Sequence, residues 1–234
     1  MITLVLFDID GTLVLTGGAG LRAMALAFEE LFDVPDAFRG MQMAGRTDAW
    51  ILSDAAAAHG IARDSPALAR FPDVYLRHLT AEIEKPHPRK NVMPGVRDLL
   101  DALAQRDDVY VALLTGNYEA AARVKLEHFD LWRYFPCGAF GDGAADRNQL
   151  VPKAIARVAA AGGPAFAARD AVVIGDTPLD VTCAKIHAAR AVGVATGPHA
   201  IDELREAGAD VVFSDLSETT HVLRALNLPI ESEF

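Results

Sequence analysis

Short apolar runs alternate along this chain with segments in which apolar residues recur at helical spacing. This order is typical of a parallel β-sheet covered by helices on both faces, because each connection between parallel strands needs about the length of a helix. We therefore predict an α/β fold with a Rossmann-like parallel sheet as its core. The apolar runs that predict its strands cover residues 2–7, 109–114, 171–174, 191–195 and 210–213.

One long region departs from this alternation. Between residues 17 and 90 the apolar positions follow helical spacing, and no run favours a strand. The stripes predict helices at residues 21–31, 50–58 and 66–83. A stretch rich in proline and basic residues, 85–90, is typical of a linker that returns the chain to the sheet. The predicted domains are a core of residues 1–16 and 91–234 and a helical insertion of residues 17–90.

Composition and charge narrow the range of functions. The chain has 234 residues, of which 51% are hydrophobic, enough for one large domain or a domain with an insertion. Its formal net charge of −10 argues against a nucleic-acid partner, which would require clustered Lys and Arg. The N-terminal apolar run is too short for a signal peptide or a membrane span, so we expect a cytoplasmic protein without a membrane partner. Cys137 and Cys183 are expected to be reduced, buried thiols.

Acidic residues and a threonine follow three of the predicted strands. Asp8 and Asp10 come after the first and Thr115 after the second, while Asp176 follows the third, with Asp180 one helical turn further on. Because ligands of a parallel sheet bind at the carboxyl ends of its strands, we expect these side chains to converge at one edge. Crowded carboxylates repel one another unless a cation offsets their charge. With no His or Cys cluster beside them, oxygen ligands alone indicate Mg²⁺.

The turns after these strands also suit a phosphate. Thr115 precedes Gly116 and Asn117, and its hydroxyl with the following backbone N–H groups is expected to bind a phosphoryl oxygen at a helix N-terminus. Pro178 favours a helix start, which places Asp180 in the first turn. Helix capping would explain each of these residues separately, but it would not explain their match with the acidic pair after the first strand.

The strand-end residues resemble three motifs of the haloacid dehalogenase superfamily of hydrolases. Residues 8–12, Asp-Ile-Asp-Gly-Thr, are similar to its first motif, residues 113–116 to its second, and Gly175 and Asp176 with Asp180 to its fourth. The helical insertion resembles the cap that phosphoglycolate phosphatase-like members place between the first and second motifs. The resemblance implies a Mg²⁺-dependent phosphatase that hydrolyses a small phosphorylated metabolite, so the expected partner is a small-molecule phosphate ester.

The resemblance also implies a role for each matched residue. Asp8 would attack phosphorus and carry the phosphoryl group as an aspartyl-phosphate. Asp10 would protonate the leaving alcohol and then activate the hydrolytic water. Asp8, the backbone carbonyl of Asp10 and Asp176 would hold Mg²⁺, with Asp180 close behind them. Thr115 would bind the transferring group.

The third motif of the superfamily is the imperfect part of the match. It supplies a Lys or Arg that neutralises the phosphate, and the usual Lys-Pro pair is absent here. Arg147 and Lys153 are both candidates. We prefer Arg147, which lies in the loop after the apolar stretch 137–140, because Lys153 is expected to face solvent from the following helix. In the insertion, Arg46 is a candidate for binding a second anionic group of the substrate; the alternative is a surface arginine at a helix start.

Two alternatives to a phosphatase stay open. A phosphomutase of the same superfamily uses the same two aspartates but returns the phosphoryl group to its product, and a catalytically silent phosphate-binding module would keep the fold without turnover. A carbon–halogen hydrolase is disfavoured because such relatives lack the second aspartate, here Asp10. A phosphonate hydrolase is disfavoured because it needs a cap lysine and no lysine occurs between residues 1 and 84. The pattern leaves the oligomeric state open.

Overall fold

The computed structural model describes residues 2–144 and 146–228. The strands are β1 Thr3–Phe7, β2 Val14–Thr16, β3 Lys90–Val92, β4 Val109–Leu114, β5 Gly138–Ala139, β6 Ala171–Gly175, β7 Arg190–Val194 and β8 Val211–Phe213. The helices are α1 Ala19–Phe32, α2 Asp48–Ala58, α3 Pro66–Glu82, α4 Val96–Ala104, α5 Glu119–His128, α6 Leu150–Ala160, α7 Pro178–Ile186, α8 Ile201–Glu206 and α9 Thr219–Ala225. None of these described helices has the length and apolar character needed to cross a lipid bilayer.

Six of the described strands form one parallel sheet in the order β5-β4-β1-β6-β7-β8. The side chains of β1 alternate between its faces: Val5 and Phe7 pack with residues of α4, α5 and α9, whereas Leu4 and Leu6 pack with residues of α6, α7 and α8. Both faces of the sheet are therefore buried, which explains why its strands read as continuous apolar runs. The predicted α/β fold with a Rossmann-like parallel sheet is confirmed.

The structure contains a second sheet, of two strands, that the sequence did not predict. In it β2 and β3 pair in antiparallel orientation, with Val14 opposite Val92 and Thr16 opposite Lys90. Its second strand begins at the last residue of the predicted linker, so the linker is one residue shorter than expected. Strands of three residues contain too few alternating positions to give a periodic signal. These two strands connect the main sheet to the helices inserted after β2.

The helices α1, α2 and α3 confirm the helical prediction for the region between β2 and β3. They share one hydrophobic cluster, in which Phe28, Phe71 and Tyr75 are almost completely buried. Phe28 packs edge-on against Phe71, with 6.4 Å between the ring centroids. Tyr118 and Ala121 join the same cluster from the start of α5. The inserted helices thus have a hydrophobic core of their own, and this core also includes residues at the start of α5.

The sheet order places the predicted site residues at one edge. β1 lies between β4 and β6, and Phe7 pairs with Leu113 on one side and with Ile174 on the other. The three strands therefore end at the same level. The residues that follow them emerge side by side at the carboxyl edge, where parallel sheets bind their ligands.

Candidate active site

Three buried carboxylates converge at this edge. Asp8 follows β1, Asp176 follows β6 and Asp180 lies in the first turn of α7; one carboxylate oxygen from each lies within 4.8 Å of the others. Gly11 makes the close packing possible, because its φ of +86° suits glycine and a Cβ there would lie 2.4 Å from an oxygen of Asp176. Among the described residues, three of the four predicted metal ligands thus meet through their carboxylates.

The start of α7 fixes the position of Asp180. Pro178 occupies the first turn, and Thr177 is the N-cap, accepting the N–H of Asp180 at its hydroxyl oxygen. In return, Asp180 Oδ2 accepts the backbone N–H of Thr177 at 3.0 Å and its hydroxyl at 2.6 Å. Asp180 Oδ1 accepts a hydrogen bond from Arg147. Both oxygens of Asp180 are therefore engaged, and the capping residue is Thr177 rather than Asp176.

Among the described residues, Arg147 is the cation that contacts two of these three carboxylates. It begins a 3₁₀ turn, is 2% exposed, and its Nη2 donates to Asp180 and lies 3.1 Å from Asp8 Oδ1. Its Nη1 donates to the carbonyl of Gly45 at 3.0 Å, while its buried Nε has no hydrogen-bond partner among the described residues. Lys153, the other candidate from the sequence, instead directs its Nζ to a loop carbonyl 3.4 Å away.

The charge of the cluster is not balanced by the protein alone. Burial raises the pKa of Asp8 from its ordinary 3.8 to about 6; Arg147 opposes this rise, and repulsion by Asp180 and Asp10 adds to it. Burial, with repulsion by Asp180 and Asp8, raises the pKa of Asp176 well above its ordinary value. One guanidinium facing three carboxylates leaves the cluster net negative. A divalent cation would neutralise it, and an oxygen-only donor set without Cys or His fits Mg²⁺.

Thr115 lies in the loop that follows β4. It is fully buried, its N–H donates to the carbonyl of Ala139 at 3.0 Å, and its Oγ1 accepts Nδ2 of Asn117 at 2.8 Å. The next helix, α5, begins at Glu119 with Tyr118 as its N-cap. Thr115 is therefore held by the neighbouring strand and by Asn117, three residues before the N-terminal cap rather than within the first turn of the helix.

Asp10 has different surroundings from the three buried carboxylates. Its side chain is 43% exposed, and its Oδ2 accepts Nδ2 of Asn117 at 2.8 Å and Nζ of Lys125 at 2.6 Å. Lys125, a buried residue of α5, is not among the residues predicted from the sequence. The readable signal is its helical phase, since it follows the buried Ala121 by one turn.

The segment before α2 packs directly on the loops of the main sheet. The N–H of Asp48 donates to the carbonyl of Gly116 at 2.7 Å, and the hydroxyl of Thr47 donates to the carbonyl of Ala144 at 2.6 Å. Glycine is needed at position 116, because a Cβ there would lie 2.1 Å from the carbonyl oxygen of Arg46. The inserted helices are thus held against the strand-end loops by backbone and side-chain hydrogen bonds.

A cavity of about 500 Å³ separates the strand ends from the inserted helices. Its polar wall contains the predicted site residues, namely Asp8, Asp10, Thr115, Gly116, Asn117, Arg147 and Asp176. Its opposite wall is mostly apolar and is formed by Leu21, Met24, Met43, Ile51 and Tyr75. Arg46 also lines the cavity, but its Nη1 already donates to Asp54 at 2.9 Å and its guanidinium lies 4.1 Å from the ring centre of Trp50.

Comparisons with known proteins agree with this geometry. Residues 5–185 match the family model described as haloacid dehalogenase-like hydrolase. The chain is 29% identical over 232 residues to the probable phosphatase IndB of Dickeya dadantii (strain 3937), covering 95% of this chain and 94% of that protein. It is 30% identical over 223 residues to the phosphoglycolate phosphatase of Rhodospirillum rubrum, covering 91% of this chain and 87% of that protein.

A solved structure shares the fold. The crystal structure of CbbY from Rhodobacter sphaeroides in complex with phosphate is similar with a TM-score of 0.69 at 21% identity, over 97% of this chain and 100% of that one. The predictions of the superfamily and of an enzyme of the phosphatase type are confirmed by these comparisons. The chain belongs to the haloacid dehalogenase-like hydrolase family.

Proposed function

We propose that this phosphatase depends on Mg²⁺ and hydrolyses a small phosphorylated metabolite through an aspartyl-phosphate on Asp8. The observation that carries the proposal is the buried cluster of Asp8, Asp176 and Asp180 with Arg147 as its cation. Such a net-negative cluster is costly to bury unless a further cation neutralises it, and Mg²⁺ would do so. The same cation would offset the charge of a phosphate ester bound beside Asp8.

The metal site follows from the same residues. Asp8, the backbone carbonyl of Asp10 and Asp176 would hold Mg²⁺, while Asp180, whose oxygens already bind Thr177 and Arg147, would support them from behind. Bound Mg²⁺ supplies neutralisation of the phosphoryl oxygens and alignment of the phosphorus with the nucleophile.

Each step of hydrolysis then has a group to perform it. A carboxylate oxygen of Asp8 forms a bond to phosphorus as the ester P–O bond breaks, and Asp10 gives a proton to the departing alkoxide. Asp10 next removes a proton from water, whose oxygen attacks phosphorus and restores the Asp8 carboxylate. Arg147 and Thr115 hold the oxygens of the transferring group in place.

The inserted helices act as a cap in this proposal. Residues 17–90 cover the strand ends, which would limit the access of bulk water to the site during the phosphorylation step. The cavity of about 500 Å³ has room for a phosphoglycolate-sized ester. A phosphoglycolate-like substrate is supported by the relative from Rhodospirillum rubrum. Its carboxylate would bind Arg46, if that residue exchanges its bond with Asp54.

The test is a phosphate-release screen across a panel of phosphorylated metabolites, with Mg²⁺ and then with EDTA, comparing the wild-type protein with Asp8→Asn. We expect Mg²⁺-dependent release that Asp8→Asn abolishes. Equal rates for the two proteins would refute nucleophilic catalysis by Asp8, and the absence of any release by the wild-type protein would favour a silent binding module. A requirement for a bisphosphate would indicate a phosphomutase instead.

A further inference from the structure

A buried lysine on the helix after the second strand-end loop contacts the carboxylate that the proposed mechanism uses for proton transfer. Lys125 is 4% exposed, and its Nζ lies 2.6 Å from Asp10 Oδ2 and 2.5 Å from Asn117 Oδ1. Lys125 belongs to α5, whose Ala122 and Leu126 pack on the main sheet that also carries Asp10. A lysine placed this deep has a specific partner to hold.

Asn117 completes a closed set of hydrogen bonds around Asp10. Its Oδ1 accepts from Lys125, which fixes its amide so that Nδ2 donates to Asp10 Oδ2 at 2.8 Å and to Thr115 Oγ1 at 2.8 Å. Both donors to Asp10 bind the same oxygen, Oδ2. The other oxygen, Oδ1, is the one left for an exchange of protons with a group in the cavity.

The contribution of Lys125 to folding stability does not by itself explain why a lysine is buried at this position. Burying the ammonium group of Lys125 costs free energy of solvation that one ion pair, here with the partly exposed Asp10, often fails to repay. Lys125 further opposes the rise in the pKa of the buried Asp48, which burial raises to about 7. It is therefore the cation that two carboxylates at the cavity wall share.

We infer that Lys125 is a positioning residue for Asp10: together with Asn117 it holds the carboxyl group so that Oδ1 faces the leaving-group oxygen. This inference rests on the proposed function, in which Asp10 protonates the leaving alcohol. Without Lys125 the partly exposed side chain of Asp10 keeps only the hydrogen bond from Asn117, and it delivers a proton less often in the correct geometry. The loss therefore falls on the step that needs the proton.

The experiment compares two substrates whose leaving groups differ in their need for a proton. The p-nitrophenolate ion is a good leaving group without protonation. The alkoxide of an alkyl phosphate such as glycerol 2-phosphate must be protonated as it leaves. The value of kcat/KM reports the phosphorylation step for both substrates. Lys125→Met keeps the length and apolar stem of the side chain, Lys125→Arg restores a cation, and Lys185→Met is the control, a lysine that pairs with Asp210 on the surface.

We expect Lys125→Met to lower kcat/KM for the alkyl phosphate by about 10- to 100-fold, a fraction of the roughly 100- to 10,000-fold that general acid–base catalysis contributes in full. The kcat/KM for p-nitrophenyl phosphate should fall by less than about threefold. Lys125→Arg should recover much of the loss, and Lys185→Met should match the wild-type protein. In an Asp10→Asn background, Lys125→Met should add little further loss, because both changes remove the same function.

The remaining results separate the possible failures. Equal losses of kcat/KM on both substrates, or full additivity with Asp10→Asn, would mean that Lys125 only supports the structure and would overturn the inference. If Lys125→Met does not fold, as judged by its circular dichroism, Lys125→Gln carries the same comparison with an uncharged polar group. Unchanged turnover by Asp8→Asn would instead refute the proposed function itself, whatever the Lys125 variants show.

Discussion

Replacing the nucleophile should make the metal-free protein more stable. The pKa of Asp8 is about 6 in the folded protein against an ordinary 3.8, mainly because of burial. A difference of one pKa unit between the folded and unfolded states corresponds to about 1.4 kcal/mol. At pH 7 the ionised Asp8 therefore lowers the free energy of unfolding by about 3 kcal/mol. Asn has the shape of the protonated side chain but carries no charge. Asp8→Asn should therefore raise the free energy of unfolding by about that amount.

The pH dependence distinguishes this charge effect from a gain in packing, which would be the same at every pH. Between pH 4 and pH 6 the folded protein keeps a proton on Asp8 that the unfolded chain has released. Wild-type stability therefore falls as the pH rises through this window, and the stability of Asp8→Asn lacks this contribution. The difference between the two proteins should be close to zero near pH 4 and largest above pH 6.

Urea denaturation in EDTA at pH 4, 5, 6 and 7 measures this difference directly. Adding Mg²⁺ at about 100 times its dissociation constant should stabilise the wild-type protein by about 2.7 kcal/mol. Asp8→Asn should gain less, because it has lost a predicted ligand. An Asp8→Asn protein that is less stable than wild type at pH 7 in EDTA would refute the reasoning, since it would show that ionised Asp8 is adequately compensated by Arg147.

Four further substitutions test other parts of the site. Arg147→Met should lower kcat/KM by at least about 100-fold, the usual loss of one preorganised donor to a transition state, and Lys153→Met should have little effect; steady-state kinetics decide between them. Gly116→Ala should raise KM, because the added methyl group would lie 2.1 Å from the carbonyl oxygen of Arg46 and displace the cap segment. Asp48→Asn should stabilise the protein in urea denaturation at pH 8 but not at pH 4, since burial raises the pKa of Asp48 to about 7.

The sequence predicts the main sheet well because its strands are buried on both faces. Each of the five predicted strands overlaps an observed strand of the main sheet, with ends that differ by at most one residue. The sixth, Gly138–Ala139, has two residues and appears in the sequence only as part of an apolar stretch. The pair β2 and β3 depends on contacts between residues far apart in the chain, which no local pattern records.

The site is predictable where the chain itself fixes the position of a side chain. A residue that follows a strand of a parallel sheet emerges at a known edge, so the sequence alone places Asp8, Thr115 and Asp176 together. The sequence favours Arg147 over Lys153 because a side chain in the loop after residues 137–140 can reach the strand ends, whereas Lys153 is expected to face solvent from the following helix. The structure gives this loop residue contacts with two of the three carboxylates.

Helical residues are harder to place, because a helix position specifies a direction only relative to its neighbours. Lys125 stands among Arg123, Glu127 and His128, a context that is typical of a solvated face. Its phase contradicts that interpretation, since it shares the buried side of α5 with Ala121. A charged residue in the buried phase of a helix that follows a strand-end loop must meet a polar partner, and the strand-end loops are the nearest source of one. Lys125 of α5 is therefore expected to pair with the acidic motif that follows β1.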